Sequence, residues 1–229
     1  MHPLDRPVWA SLSQFHRHLS LGDDQARRFD PAVNVFASAR DDGAQALSAL
    51  ARLVAPGERI FVLQVPEIVV PEGLAATHRA LGVQMVATRP LRDAPPPAGL
   101  HDLGEADAAY MLQLAQLTEP GPFLPRTHRM GGFVGVRDAG RLAGMAGERL
   151  RFSGYTEISG VCTHPDCRGR GLARGLSAVV AQRIQQRGEQ PFLHAWKSNL
   201  AAIRLYESLG FVHRSDVQVA VLERPAGPA

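Results

Sequence analysis

Two glycines alternating with two arginines, Arg168-Gly169-Arg170-Gly171, followed by Leu172-Ala173, have the composition of an anion-holding turn. Upstream, the apolar and small residues from Ile158 to Cys162 read as a strand. His164-Pro165-Asp166 stops it, because proline cannot continue a ladder. Downstream, Leu172, Leu176, Val179, Val180 and Ile184 recur on one helical face, and Gly188 follows as a C-terminal cap. A strand, a glycine turn and a helix start, in that order, aim unpaired N–H groups at whatever lies in front of them. Glycine lets the backbone approach closely, and the helix dipole favours negative charge. The chemistry on offer is phosphate binding. Cys162, His164 and Cys167 stand close by, but a metal site wants a fourth ligand and a recurring cysteine pair, and neither is in the sequence. The cysteines read as a buried strand thiol and a loop thiol, and no metal is expected.

These residues resemble the GNAT superfamily of acyl-CoA-dependent N-acyltransferases, and within it the FR47-like branch. The family's pyrophosphate loop, Gln/Arg-x-x-Gly-x-Gly/Ala, stands here as Arg168 to Ala173, preceded as in the family by a strand and a proline, Pro165. Two more stretches match at the expected distances. Asn199 to Phe211 (NLAAIRLYESLGF) follows the family's Asn-x-x-Ala-x-x-x-Tyr-x-x-x-Gly-Phe segment, and Glu157 stands where many members carry a strand carboxylate. The resemblance covers roughly the last 130 residues, an ordinary size for one domain.

What the resemblance implies is transfer of an acetyl or other short acyl group from acyl-CoA, most simply acetyl-CoA, to a small-molecule or peptide amine. The attack would be direct, within a ternary complex, with proximity supplying much of the rate. An alkylammonium of pKa about 10.4 is no nucleophile until it loses a proton, and the departing thiolate must gain one. The family usually gives the second task to the tyrosine matched here by Tyr206. The other reading of Tyr206 is a packed ring, since Ala202, Leu205 and Leu209 share its face. Glu157, sharing a strand face with Ser159 and Val161, is the candidate base; otherwise it is a solvated or Arg-paired strand carboxylate, with Glu148 in reserve. By the same resemblance the backbone of Val161, Cys162 and Thr163 runs beside the pantetheine. Thr163 departs from the aliphatic residue more usual there. The N–H groups from Gly169 through Arg170, Gly171, Leu172 and Ala173 to Arg174 take the phosphates, while Arg168, Arg170 and Arg174 add charge or simply face solvent. Asn199 caps its helix and touches the cofactor. An acyl-CoA-binding regulatory module without turnover would carry the same cradle. A dinucleotide-dependent oxidoreductase fits poorly, because its Gly-x-Gly-x-x-Gly loop is absent.

The elements that must position these groups form two α/β units. Before residue 98 the spacing predicts a helix over 8–20, a strand over 33–39, a helix from Asp41 and a strand over Arg59–Val65. A helix over Glu72–Leu81 and a strand over Val83–Thr88 complete a small accessory layer, a decayed copy of the second unit or a separate addition. The proline-rich RDAPPPAG stretch, 92–99, reads as the linker, giving units 1–97 and 98–229. The second unit should hold a helix over Glu105–Gln116 and a hairpin around Asp138-Ala139-Gly140. Strands over Tyr155–Thr163, Phe192–Trp196 and Val217–Leu222 and a helix over Asn199–Leu209 follow. That is a mixed, mostly antiparallel GNAT sheet flanked by helices, able to bind CoA without the first unit if it stays soluble, since removing residues 1–97 would expose any apolar face shared between the units.

Composition sets the remaining limits. The chain has 229 residues, 45% hydrophobic and 21% charged, enough for a real core. Its net charge is +3, spread over scattered arginines with Lys197 the single lysine, so no nucleic-acid partner is expected. The first residues lack the apolar core of a signal peptide, and no apolar run suits a membrane span, so a cytoplasmic protein is expected. Oligomeric state stays open, a homodimer included.

Overall fold

A computed structural model describes residues 2–89, 91 and 94–226. The chain starts with helix α1 (Pro7–Ser13), whose first position is a proline that needs no hydrogen-bonding N–H there. Three short strands, β1 (Ser20–Gly22), β2 (Ala26–Phe29) and β3 (Ala37–Ala39), form a small antiparallel sheet, followed by helix α2 (Ala44–Arg52). Strands β4 (Arg59–Gln64) and β5 (Ala75–Val86) come next, then β6 (Leu100–Leu103) and helix α3 (Ala108–Thr118). β7 (Phe133–Asp138) and β8 (Arg141–Phe152) make the expected hairpin, with Ala139 and Gly140 both at positive φ as a tight turn requires. The chain ends with β9 (Tyr155–Thr163), α4 (Leu172–Gln186), β10 (Gln190–Trp196), α5 (Leu200–Leu209) and β11 (Val212–Glu223).

Eight strands form one sheet in the order β4-β11-β5-β10-β9-β8-β7-β6. Only β9 and β10 run parallel; every other neighbouring pair is antiparallel. The mixed, mostly antiparallel sheet flanked by helices is therefore as expected, but its membership is not. β5 lies between β11 and β10, pairing with both, so the strands before and after residue 97 belong to one sheet. The helix expected over Glu72–Leu81 is instead a turn at Glu72 and Gly73 followed, from Ala75, by the first half of β5. Its side chains up to Arg79 are exposed, which hides the period-2 signal; pairing with β11 from Ala75 to Val86 decides the conformation. The helix expected over 8–20 ends at Ser13, and β6 was not anticipated. Arg92 and Asp93 of the expected linker lie outside the described residues.

Alternation along the strands divides the core. Val83 and Met85 face α4 and α5, packing with Leu176, Val180, Ile158, Leu193, Tyr206 and Leu209. Gln84 and Val86 face the other way, where Leu4, Val8 and Leu12 meet Phe29, Phe36, Leu63, Leu150 and Phe192. The small sheet continues past β4 through a parallel bridge between Phe36 and Phe61. There α2 covers Ile60 and Val62, while Leu63 faces the cluster containing α1. Among the described residues no helix is long and apolar enough to cross a membrane.

Candidate active site

β9 and β10 pair only over Tyr155–Ile158 and Gln190–Leu193, then part. The gap between Ser159–Val161 and His194–Trp196 opens a cleft of about 900 Å³, its mouth included. Parting is aided by a bulge. Between Met145 and Gly147 on β8 the chain advances two residues, while β9 advances three from Ser159 to Cys162. Gly160 takes φ 61° there, and a Cβ on it would lie 2.9 Å from the Phe133 ring, so only glycine fits. The bulge also changes which way side chains face. Val161 packs toward the α4–α5 core, Cys162 toward α3, and Glu157 does not share a face with Val161 as plain alternation predicts.

The glycine turn and α4 are placed as expected. Gly169 and Gly171 have φ 77° and 75°, and Gly171 is the residue preceding the first turn of α4. A Cβ at either would meet nothing within 4 Å, so the space before the helix is open to a ligand. Asn199 caps α5 by accepting from the Ala202 N–H at 3.1 Å, and it lines the cleft. Of the loop arginines, Arg170 pairs with Asp138 at 2.9 Å and Arg174 reaches Ser208, while Arg168 makes no side-chain hydrogen bond among the described residues. Thr163 leaves its hydroxyl buried without a protein partner at the strand end nearest the turn. Cys162 is buried, which pushes its thiol up to about 12, and Cys167 contacts Asp138.

Tyr206 lines the cleft from α5. Burial, with a smaller push from Cys162, raises its phenol to about 12, so it stays protonated across the neutral range. Glu157 does not stand free to act as a base. It is fully buried, receives two bonds from Arg149 at 2.6 and 2.8 Å and one from His194 Nδ1 at 2.7 Å. Burial opposes its ionisation, but the Arg149 charge and these hydrogen bonds outweigh burial and hold the carboxyl at about 2. Of the alternatives open in the sequence, the Arg-paired strand carboxylate is realised. Glu148 points into a separate groove and pairs with Arg187 at 2.8 Å.

Several cleft residues come from places the sequence did not flag. Arg149 lies on β8 with its guanidinium 4.9 Å from the centre of the Phe36 ring. Phe36, Phe61, Leu63, Val217 and Val219 form an apolar wall from the first unit and β11. The charged Glu148-Arg149 pair inside the otherwise apolar or small run Leu142–Leu150 was the one local signal available.

The FR47-like family matches residues 133–220, from β7 into β11. A crystal structure of a GNAT-family protein from Novosphingobium aromaticivorans DSM 12444, described as an acetyltransferase, is 42% identical. It superposes with a TM-score of 0.91 over 98% of this chain and 99% of that one. The chain belongs to the GNAT family of N-acetyltransferases. Among curated relatives, mycothiol acetyltransferase from Thermobispora bispora is 43% identical over 56 residues, 24% of this chain and 19% of its own length. Mycothiol acetyltransferase from Thermomonospora curvata is 37% identical over 82 residues, 35% of this chain and 27% of its own length. The matched part thus spans about a fifth to a quarter of those two relatives. In this GNAT protein the parted strands and the glycine turn lie within the FR47-like match, while Phe36, Phe61 and Leu63 of the apolar wall come from a segment outside it.

Proposed function

We propose that the protein transfers an acetyl group from acetyl-CoA to an amine by direct attack in a ternary complex. The observation carrying this reading is the cleft where β9 and β10 part, with Val161 and Tyr206 on its walls and the open glycine turn beyond the end of β9. The N–H groups from Gly169 to Arg174 would hold the donor's phosphates, and Arg168 would add charge. The backbone of Val161, Cys162 and Thr163, unpaired with β10, would run beside the pantetheine, and Asn199 would touch it. In the reaction a C–N bond forms as the C–S bond breaks; nitrogen gives up one proton and sulfur gains one.

Tyr206 is the proposed donor to sulfur. Full transfer from a phenol near 12 to a thiolate of ordinary pKa about 8.5 runs uphill. Its contribution is therefore a hydrogen bond to the charge that develops on sulfur, strengthened by the buried setting.

Calorimetry with CoA and thiol release with an amine panel test the reading together. Gly171→Glu places a side chain and a negative charge in the open space at positive φ. It should cut CoA affinity by at least about tenfold, or 1.4 kcal/mol, in a folded protein. Unchanged affinity would sink the loop assignment. CoA binding without thiol release for any amine would leave the regulatory-module reading standing instead.

A further inference from the structure

If the cleft is the acyltransferase site, its lining also restricts the acceptor. Three titratable side chains line it among the described residues, Arg149, His194 and Tyr206, and no carboxylate does. Arg149 is a permanent cation and takes no proton. Tyr206 is held protonated. His194 has both ring nitrogens engaged, Nδ1 with Glu157 at 2.7 Å and Nε2 with the Gln84 Nε2 at 3.0 Å. The Gln84 amide is fixed in orientation, because its oxygen accepts from Arg214 at 2.8 Å and its nitrogen donates to the Leu4 carbonyl at 2.9 Å. These partners assign the imidazole tautomer: Nδ1 donates to Glu157, and the Nε2 lone pair faces an amide N–H. A proton arriving at Nε2 would meet that donor head-on. No lining side chain is therefore placed to accept a proton from an ammonium without breaking a buried bond.

The rest of the wall points the same way. Phe36, Phe61, Leu63, Val217 and Val219 offer an ammonium no counter-charge and no side-chain hydrogen-bond acceptor, and the Phe36 face is already taken by the Arg149 guanidinium. Placing an ammonium there would bury a cation beside another whose counter-charge, Glu157, is already shared with His194. We propose that the acceptor is an apolar amine of low basicity, an arylamine or the α-amino group of an apolar amino-acid derivative, which enters the cleft uncharged. An α-amino group, of pKa about 7.7–8.0, is neutral several hundred times more often at pH 7 than an alkylamine near 10.4. The nitrogen proton is lost only as the C–N bond forms, when nitrogen is far more acidic, and passes to solvent or to the departing sulfur.

The full-length protein is tested with acetyl-CoA and five amines: aniline, phenylalanine amide, 2-phenylethylamine, spermidine and Nα-acetyl-lysine amide. Aniline reports an arylamine and phenylalanine amide an α-amine. At pH 7, kcat/KM for the better of these two should exceed that for spermidine and the lysine derivative by at least about tenfold. The 2-phenylethylamine rate should climb about tenfold per pH unit from 7 to 9, while that of phenylalanine amide levels off near 8. Phe61→Asp, which puts a carboxylate into the wall, should narrow the ratio. Preference for spermidine or the lysine derivative, with CoA binding intact, would overturn the proposal, as would an unchanged ratio in a folded Phe61→Asp protein. Should calorimetry find no CoA binding, the acyltransferase reading itself falls and takes this inference with it.

Discussion

Glu157 stands where the family pattern invites a base, yet its three hydrogen bonds to Arg149 and His194 turn it into a structural anion. Removing its charge leaves the Arg149 guanidinium buried against Phe36 without a counter-ion. Glu157→Gln should therefore lower stability by about 3–5 kcal/mol at neutral pH, read from urea unfolding. A catalytic base predicts otherwise: a slow enzyme of ordinary stability, rescued at high pH. Tyr206→Phe separates the second role. The phenol oxygen matters chiefly as sulfur takes on charge, so kcat should fall by about tenfold or more while acetyl-CoA affinity stays within a factor of two or so. Equal loss of affinity and rate would show a packing tyrosine, as its contacts with Ile158 and Leu209 in the same core would allow. Both residues were legible as site candidates from spacing. Which role each takes was not, because Arg149 and His194, which set their surroundings, lie on other strands, and the β9 bulge is fixed by its register with β8.

At the scale of elements, the second half was legible because its motifs are local. A glycine turn before a helix, an asparagine cap and a tight hairpin each write themselves into a few adjacent residues. β5 was not, since Ala75 to Arg79 combine helix-favouring residues with exposure on both sides, and only the β11 partner makes them a strand. α1 shows the same limit. His16 reads as one more residue on a helical face, but the helix has ended and the imidazole is buried between Ser11 Oγ and the Met130 carbonyl, each at 2.7 Å. That contact fastens α1 to the segment before β7. Burial lowers His16 to about 4, with the Met130 bond pulling the other way and His18 and Arg151 adding to the drop. The folded protein thus binds this proton less readily than the unfolded chain. Stability is fully present above about pH 6.5 and is lost as pH falls toward 4, by roughly 3 kcal/mol in total. The urea midpoint should fall across that window in the native protein and slope less in His16→Gln. Parallel slopes would mean that other groups set the acid response.

For the whole molecule, the proline-rich stretch at 92–99 suggested two self-contained units, and the sheet joins what it appeared to separate. Order along a chain does not report which strands become neighbours, and pairing of β5 with both β10 and β11 is a contact between distant segments. Without residues 1–97, β11 would lose both its neighbours, β4 and β5, and β10 would keep only its short parallel pairing with β9. Val83 and Met85 would leave the core that carries α4 and α5, and the apolar faces of β10 and β11 would meet water. The fragment 98–229, expected from sequence to bind CoA if it stays soluble, should aggregate or stay unfolded, although it contains the entire FR47-like match and every loop residue. Supplying 1–97 as a second chain in the same cell should restore a soluble 1:1 complex, because the missing strands can pair from outside. Sedimentation, then calorimetry with CoA, reads both outcomes. A monomeric 98–229 fragment with cooperative unfolding and native CoA affinity would show that the second unit stands alone and that β5 is dispensable to the cleft it helps to build.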